Sequence, residues 1–171
     1  GSLENIPFGQ FRRQEEAYSI VTDSQKNIYM LSTVGGSNLN FDGFTDTVYD
    51  TGFTITDLAL VSFTCDGTFR WSKIIGGSGG EDFVNLQIDS QDNIYLAVRF
   101  GNSSSATYAQ HIDDDVVIPG IPEDTRRLVI LKYNSAGDLQ WYQRPEPVGI
   151  SIEGSLGKGL QIDAAGNLYW L

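Results

Sequence analysis

Side chains suited to proton transfer or thiolate chemistry near neutral pH are scarce: the chain has one histidine, His111, and one cysteine, Cys65. His111 lies in "YAQHIDDDVVIPG". If that stretch is extended, alternate residues face one side, so His111, Asp113 and Asp115 share a face and Asp114 lies opposite. Histidine plus carboxylates is a ligand set that divalent metals accept, which makes these three the candidate metal ligands. No fourth ligand accompanies them, and a solvated acidic loop is the favoured reading, so no cofactor is expected. Cys65 closes "ALVSFTC", where a free thiol is expected to act as a small buried apolar residue rather than a nucleophile. No catalytic residue is assigned, and no enzymatic activity is expected.

Other chemical readings are weaker. Asp42 in "NFDGFTDTVYD" and the acidic "GGEDF" at 79–83 have the composition of calcium loops but not the regular ligand spacing of an EF-hand. The glycine-rich "IIGGSGGEDF" lacks the lysine and the following helix of a phosphate cradle, and reads as a flexible connection. Asn102-Ser103-Ser104 fits a glycosylation acceptor, which matters only in a eukaryotic secretory pathway. Aromatic residues make up 12% of the chain. Trp71, Trp141 and Trp170 fall at repeating positions and are expected to be packing residues, while Tyr49, Tyr108 and Tyr142 fall outside the repetition and make a thin case for a glycan site.

Composition narrows the classes. With 171 residues, 40% of them apolar, the chain is long enough to bury a core. A net charge of −11 argues against nucleic acid and anionic membrane surfaces, since phosphates require clustered Lys and Arg. One cysteine excludes an internal disulfide framework. No run approaches the roughly 18 apolar residues of a membrane span, so direct membrane insertion is not expected. Gly1-Ser2 reads as a cleavage scar.

The elements that must position any site are legible through repetition. "SIVTDSQKNIYML" (19–31), "LQIDSQDNIYLAV" (86–98) and "LQIDAAGNLYWL" (160–171) say nearly the same thing, with Asp23, Asp89 and Asp163 standing 66 and then 74 residues apart. A second marker runs in phase: "DLALVSFTCDGTFRW" (57–71) matches "RLVILKYNSAGDLQW" (127–141) at an offset of 70. Asp and Asn flanking three turn-forming residues read as a hairpin, and "CDGTF" and "SAGDL" read the same way. A catalytic or calcium role for the recurring aspartates is the sharper but less favoured alternative.

Apolar residues on both faces of "NIYLAV" and "RLVILKY" require cover on both sides, so their sheet must lie between neighbours. In the tryptophan strands, Phe69, Trp71 and Ile75 are expected to share a face with Lys73, with Arg70 and Ser72 opposite. Their charges, and Pro145 after the second, mark sheet edges. Four strands per unit, no helical periodicity and 19 glycines predict an all-β chain: a β-propeller-like array of four-stranded antiparallel blades, about two complete and others partial.

The D-x-x-x-N-I-Y turn, the G-G-S-G-G-E-D link and the D-G-x-x-x-W hairpin resemble the bacterial β-propeller (SBBP) repeat of surface and secreted proteins. The likeness covers residues 17–100 well and 127–144 moderately, while the insert "FGNSSSATYAQHIDDDVVIPGIPEDT" and the segment "RPEPVGISIEGSLGKG" depart from it. The resemblance implies a fold and an extracellular or cell-surface setting, and brings no common catalytic residues. The expected organisation is 1–16 as scar and possible outer strand of a preceding blade, 17–82 and 83–153 as units one and two, and 154–171 as part of a third.

A partial ring leaves blade faces and strand edges open, since propellers need at least about four blades. A piece of a longer repeat protein, strand exchange between copies, or an open stack capped by other proteins would each resolve this, and each predicts association through edges or faces. The leading functional reading is a non-catalytic module for binding or scaffolding in a cell-surface, secreted or viral-surface protein, with a protein or glycan partner. The alternatives are a fragment of a propeller hydrolase or lactonase-like enzyme with a metal site, or a glycan-binding propeller.

Overall fold

The computed structural model describes residues 17–35, 39–49, 56–77, 82–100, 109–114, 116–118, 128–144 and 159–170. Every regular element among them is a β-strand, and every strand pair is antiparallel. The first sheet has six strands in the order β1 (Ala17–Thr22), β2 (Ile28–Val34), β5 (Asp57–Phe63), β6 (Phe69–Gly77), β9 (Gln110–Asp113), β10 (Val116–Ile118). Between its second and third strands comes a small hairpin, β3 (Leu39–Phe41) and β4 (Phe44–Asp46). The second sheet runs β7 (Asp82–Ile88), β8 (Ile94–Arg99), β11 (Leu128–Tyr133), β12 (Leu139–Gln143), again with a hairpin, β9 (Gln110–Asp113) and β10 (Val116–Ile118), between its second and third strands. The last two strands, β13 (Leu160–Ile162) and β14 (Leu168–Trp170), pair with each other.

Five hairpin turns share one geometry because their sequences place the same kinds of group at the same spacing. In each, the first residue's N–H donates to the fifth residue's carbonyl and the fourth residue's N–H donates to the first's carbonyl, at 2.8–3.1 Å; the turns are Asp23–Asn27, Thr64–Thr68, Asp89–Asn93, Asn134–Asp138 and Asp163–Asn167. The fourth residue takes a positive φ: Lys26 (67°), Gly67 (87°), Asp92 (62°), Gly137 (90°) and Gly166 (83°). This is a three-residue loop closed by a left-handed residue, which matches the strand twist. The β3–β4 turn is tighter, with positive φ at both central residues, Asp42 (52°) and Gly43 (91°), so Asp42 does turn work.

The sheets pack face to face. Tyr29, Leu31, Leu58, Leu60 and Ile75 of the first sheet form one core with Leu86, Ile94, Leu96, Val98, Val129, Leu131 and Tyr133 of the second, together with Ile112 and Ile118 from the β9–β10 hairpin. The opposite face of the second sheet, Tyr95, Ala97, Leu128 and Ile130, packs on Leu160, Ile162 and Leu168 of β13–β14. The leading strands stand side by side, β7 touching β1 on one side and β13 on the other. The two-sided burial expected of "NIYLAV" and "RLVILKY" is therefore met, and burying each Leu or Ile contributes about 1.5–3 kcal/mol.

Four expectations need correction. Phe69 and Trp71 do not share a face: a β-bulge leaves Arg70 as the extra residue between Trp71, paired with Ser62, and Phe69, paired with Phe63, so Phe69 packs outward with Phe41, Phe44 and Phe63 while Trp71 packs inward on Tyr29. The extra residue in a bulge reverses the alternation beyond it. Cys65 is exposed, because β5 ends at Phe63 and the thiol falls in the turn. Gly76 and Gly77 are strand residues rather than a flexible link: a Cβ on Gly76 would stand 2.0 Å from Asp57 Oδ1, and one on Gly77 2.6 Å from the Ala109 carbonyl oxygen. That end of β6 is also no free edge, since Gly76 and Gly77 pair with His111 and Gln110 of β9.

Candidate functional site

His111 sits where the second unit's hairpin joins the first sheet. The β9 alternation puts His111 and Asp113 on one side and the buried Ile112 on the other. The imidazole stacks on Tyr49, ring centroids 3.8 Å apart and planes 10° apart. Among the described residues, no hydrogen-bond partner meets its buried Nδ1, and burial lowers its pKa.

Asp113 is engaged by a cation. Lys73 Nζ lies 2.5 Å from Asp113 Oδ1 and 3.6 Å from Asp114 Oδ2. Burial alone would depress the lysine, but the bond to Asp113 and the charges of both aspartates outweigh it and raise its pKa. The pair ties β6 to β9. Asp115 lies outside the described residues, so the structure brings together two of the three candidate ligands, one of them committed to Lys73. Among the described residues, no group of three or more His, Cys, Asp or Glu is arranged to hold a metal ion.

Three residues of this joint were not singled out as a group by the sequence. Asp57 is 1% exposed and accepts the Tyr49 N–H at 2.5 Å, and its carboxylate fills the space above Gly76. Tyr49's hydroxyl is pushed up to about 12 by burial and by Asp114, Asp46, Asp57 and Asp113. The Tyr133 hydroxyl donates to the Ile112 carbonyl beneath the hairpin. The available signal was the glycine pair facing an aspartate that opens a largely apolar strand, but it cannot be read before the pairing register is known. The described contacts of the joint are the Tyr49–His111 stack, the Tyr49 N–H bond to Asp57 and the Lys73–Asp113 pair, which together hold the hairpin to the first sheet.

The recurring aspartates are equally committed. Asp23 Oδ1 accepts the Gln25 and Asn27 N–H groups at 2.9 and 2.7 Å, and Oδ2 accepts the Asn27 amide and the Tyr29 hydroxyl at 2.7 and 2.8 Å. Asp89 repeats this with Gln91, Asn93 and Tyr95, and Asp163 with Ala165, Asn167 and Tyr169. Burial pushes the Asp23 and Asp89 carboxyls up, but the bonds they accept outweigh it and lower both pKa values; at Asp163 the bond from Asn167 leads a lowering. The tyrosine of the motif also meets a cation in both full sheets. Arg70 lies over Tyr29 at 5.7 Å and donates to its hydroxyl, while Lys132 lies over Tyr95 at 5.1 Å. The cation comes from a different strand each time.

The tryptophan strand makes the contact between sheets. Trp71 Nε1 and Arg70 both donate to the Ser135 carbonyl, at 3.2 and 2.9 Å. A Cβ on Gly137 would stand 2.8 Å from the Trp71 ring. Ser24 donates its N–H and hydroxyl to Asp92 at 2.8 and 2.6 Å, linking equivalent turns of adjacent sheets. Of the glycan candidates, Tyr49 is in the joint, Tyr142 is exposed on β12, and Tyr108 lies outside the described residues, as do the Asn102 motif and the Trp170 side chain.

No protein-family model matches the chain. It is similar to an uncharacterized WD repeat-containing protein of Acanthamoeba polyphaga mimivirus, 23% identical over 173 residues that cover 90% of this chain and 12% of that protein. The chain thus spans about an eighth of the relative's length. WD repeats are a propeller-type repeat, and the likeness does not identify the SBBP repeat.

Proposed function

We propose that the chain is a segment of a β-propeller in which stacked four-stranded sheets serve as blades and the non-recurring hairpins engage a protein partner, with no catalytic role. The observation that carries this is the thrice-repeated Asp–Asn–Tyr turn. Its polar atoms are engaged in equivalent internal bonds, so the contact surface we assign is the exposed part of the two hairpins that differ between units, Phe44 and Val117 among it. Similarity to a WD repeat protein supports the propeller, since WD repeats form four-stranded blades. The resemblance to SBBP repeats supports a surface-exposed or secreted setting.

The test is photo-crosslinking from the exposed hairpin residues Phe44 and Val117, with Gln25 in a recurring turn as control. The expected result is a protein adduct from a hairpin position and none from Gln25. Adducts from Gln25 alone would overturn the assignment, and a turnover abolished by His111→Ala would replace it with an enzyme.

A further inference from the structure

Two Asp-Gly pairs stand in exposed hairpin turns, Asp42-Gly43 between β3 and β4 and Asp66-Gly67 between β5 and β6. Such a pair is prone to backbone isomerisation, because glycine has no side chain to shield its amide nitrogen from the aspartyl carboxyl beside it. By sequence the two pairs are equivalent. In the structure they are not.

At the second pair both reacting groups are held. The Asp66 carboxylate accepts the Thr64 hydroxyl and, at 3.3 Å, the Thr68 N–H, while the Gly67 N–H donates to the Thr64 carbonyl at 3.0 Å. The bond from Thr64 leads in lowering the Asp66 pKa, which favours the ionised carboxylate, a poor acyl donor. At the first pair only one group is held. Among the described residues, no donor meets the Asp42 carboxylate. The Gly43 N–H donates to the Asn40 side-chain oxygen at 2.8 Å. Asn40, Asp42 and Gly43 are all exposed, and nothing lies within 4 Å of the Gly43 Cβ position, so the turn has room to rearrange.

We propose that Asp42-Gly43 is a site of spontaneous isoaspartate formation, and that the Asn40 side chain restrains it by occupying the Gly43 N–H. In the first step the Gly43 nitrogen bonds to Asp42 Cγ, and the carboxyl hydroxyl leaves as water with the amide proton, closing a succinimide. Water then adds at the former main-chain carbonyl. The carbon–nitrogen bond there breaks, the nitrogen regains a proton, and the chain runs on through Cγ beside a free α-carboxylate. The water released in the first step balances the water consumed in the second, and no other reactant is needed. The extra methylene lengthens a two-residue turn, so Phe44, stacked on Phe69 with centroids 4.3 Å apart, is drawn out of register with Phe41.

Ageing the full chain in warm neutral buffer tests this, with electron-transfer fragmentation of its peptides to tell isoaspartate from aspartate and the same ageing in urea as the reference. Unfolded chain is expected to react at both pairs. Folded chain is expected to accumulate isoaspartate several-fold faster at Asp42 than at Asp66. Asn40→Ala should raise the rate at Asp42 several-fold further and leave Asp66 unchanged, whereas Thr64→Ala should raise Asp66 alone. A variant that merely unfolds is told apart because both sites then rise together, as in urea. Equal ratios of the two sites in folded and unfolded chain overturn the proposal, as does a folded chain that stays unmodified at Asp42 while the unfolded chain reacts. An Asn40→Ala rate equal to that of wild type overturns the restraint assigned to Asn40.

Discussion

Gly67 and Gly137 hold the same place in equivalent hairpins and have nearly the same φ, yet Gly137 is buried against Trp71 and Gly67 is exposed with nothing within 4 Å of its Cβ position. Ile20 and Leu86, each three residues before its turn aspartate, differ in the same way, 61% and 1% exposed. A repeated sequence dictates a repeated conformation, but the stabilisation each residue contributes depends on whether a neighbouring sheet lies over it.

The largest expected effect separates Leu86 from Ile20. Leu86→Ala should cost about 2–5 kcal/mol, because the cavity opens between two packed sheets, whereas Ile20→Ala should stay within about 0.5 kcal/mol. Urea unfolding of the two variants measures the gap, and equal losses would break the comparison.

The two glycines sharpen it. Gly67→Ala should cost about 1–2 kcal/mol, the penalty for a side chain in the left-handed region. Gly137→Ala should lose a further 1–3 kcal/mol or so, because the methyl group displaces Trp71. Melting temperatures of both variants and of Gly137→Ala/Trp71→Ala would show the extra loss recovered in part when the ring is removed.

Acid tests the two levels together. The Asp23 and Asp89 carboxyls are lowered below the unfolded value of about 3.9. Their contribution is therefore complete above about pH 4 and is lost as pH falls through the folded pKa values. Asp23→Asn should lower the melting temperature at pH 7 and flatten the acid limb below pH 4. His111, lowered by burial, favours folding when neutral, so its contribution is complete above the unfolded value of about 6.5 and declines below it. His111→Phe should remove that shallower slope while preserving the stack on Tyr49.

The smallest effect lies at the turn ladder. A double-mutant cycle on Ser24→Ala and Asp92→Asn should give a coupling of about 0.5–1.5 kcal/mol, as for one exposed hydrogen-bonded pair. Ser90→Ala should show no comparable loss, since Gly166 offers no carboxylate at the following turn.

What the chain of letters determined by itself is local. Asp, Asn and Tyr at fixed spacing satisfy one another within a single hairpin, so every such turn could be read without its surroundings, and alternating apolar residues on both faces of β8 and β11 announced cover on two sides. What only the tertiary structure decided is non-local. A bulge one residue wide at Arg70 parted Phe69 from Trp71, the pairing of Gly76 with His111 brought Tyr49, Asp57, Lys73 and Asp113 to one joint, and the strand end at Phe63 left Cys65 outside. Register and neighbour contacts depend on residues tens of positions apart, so short-range pattern carries no information about them, and the same words are buried in one copy and bare in another.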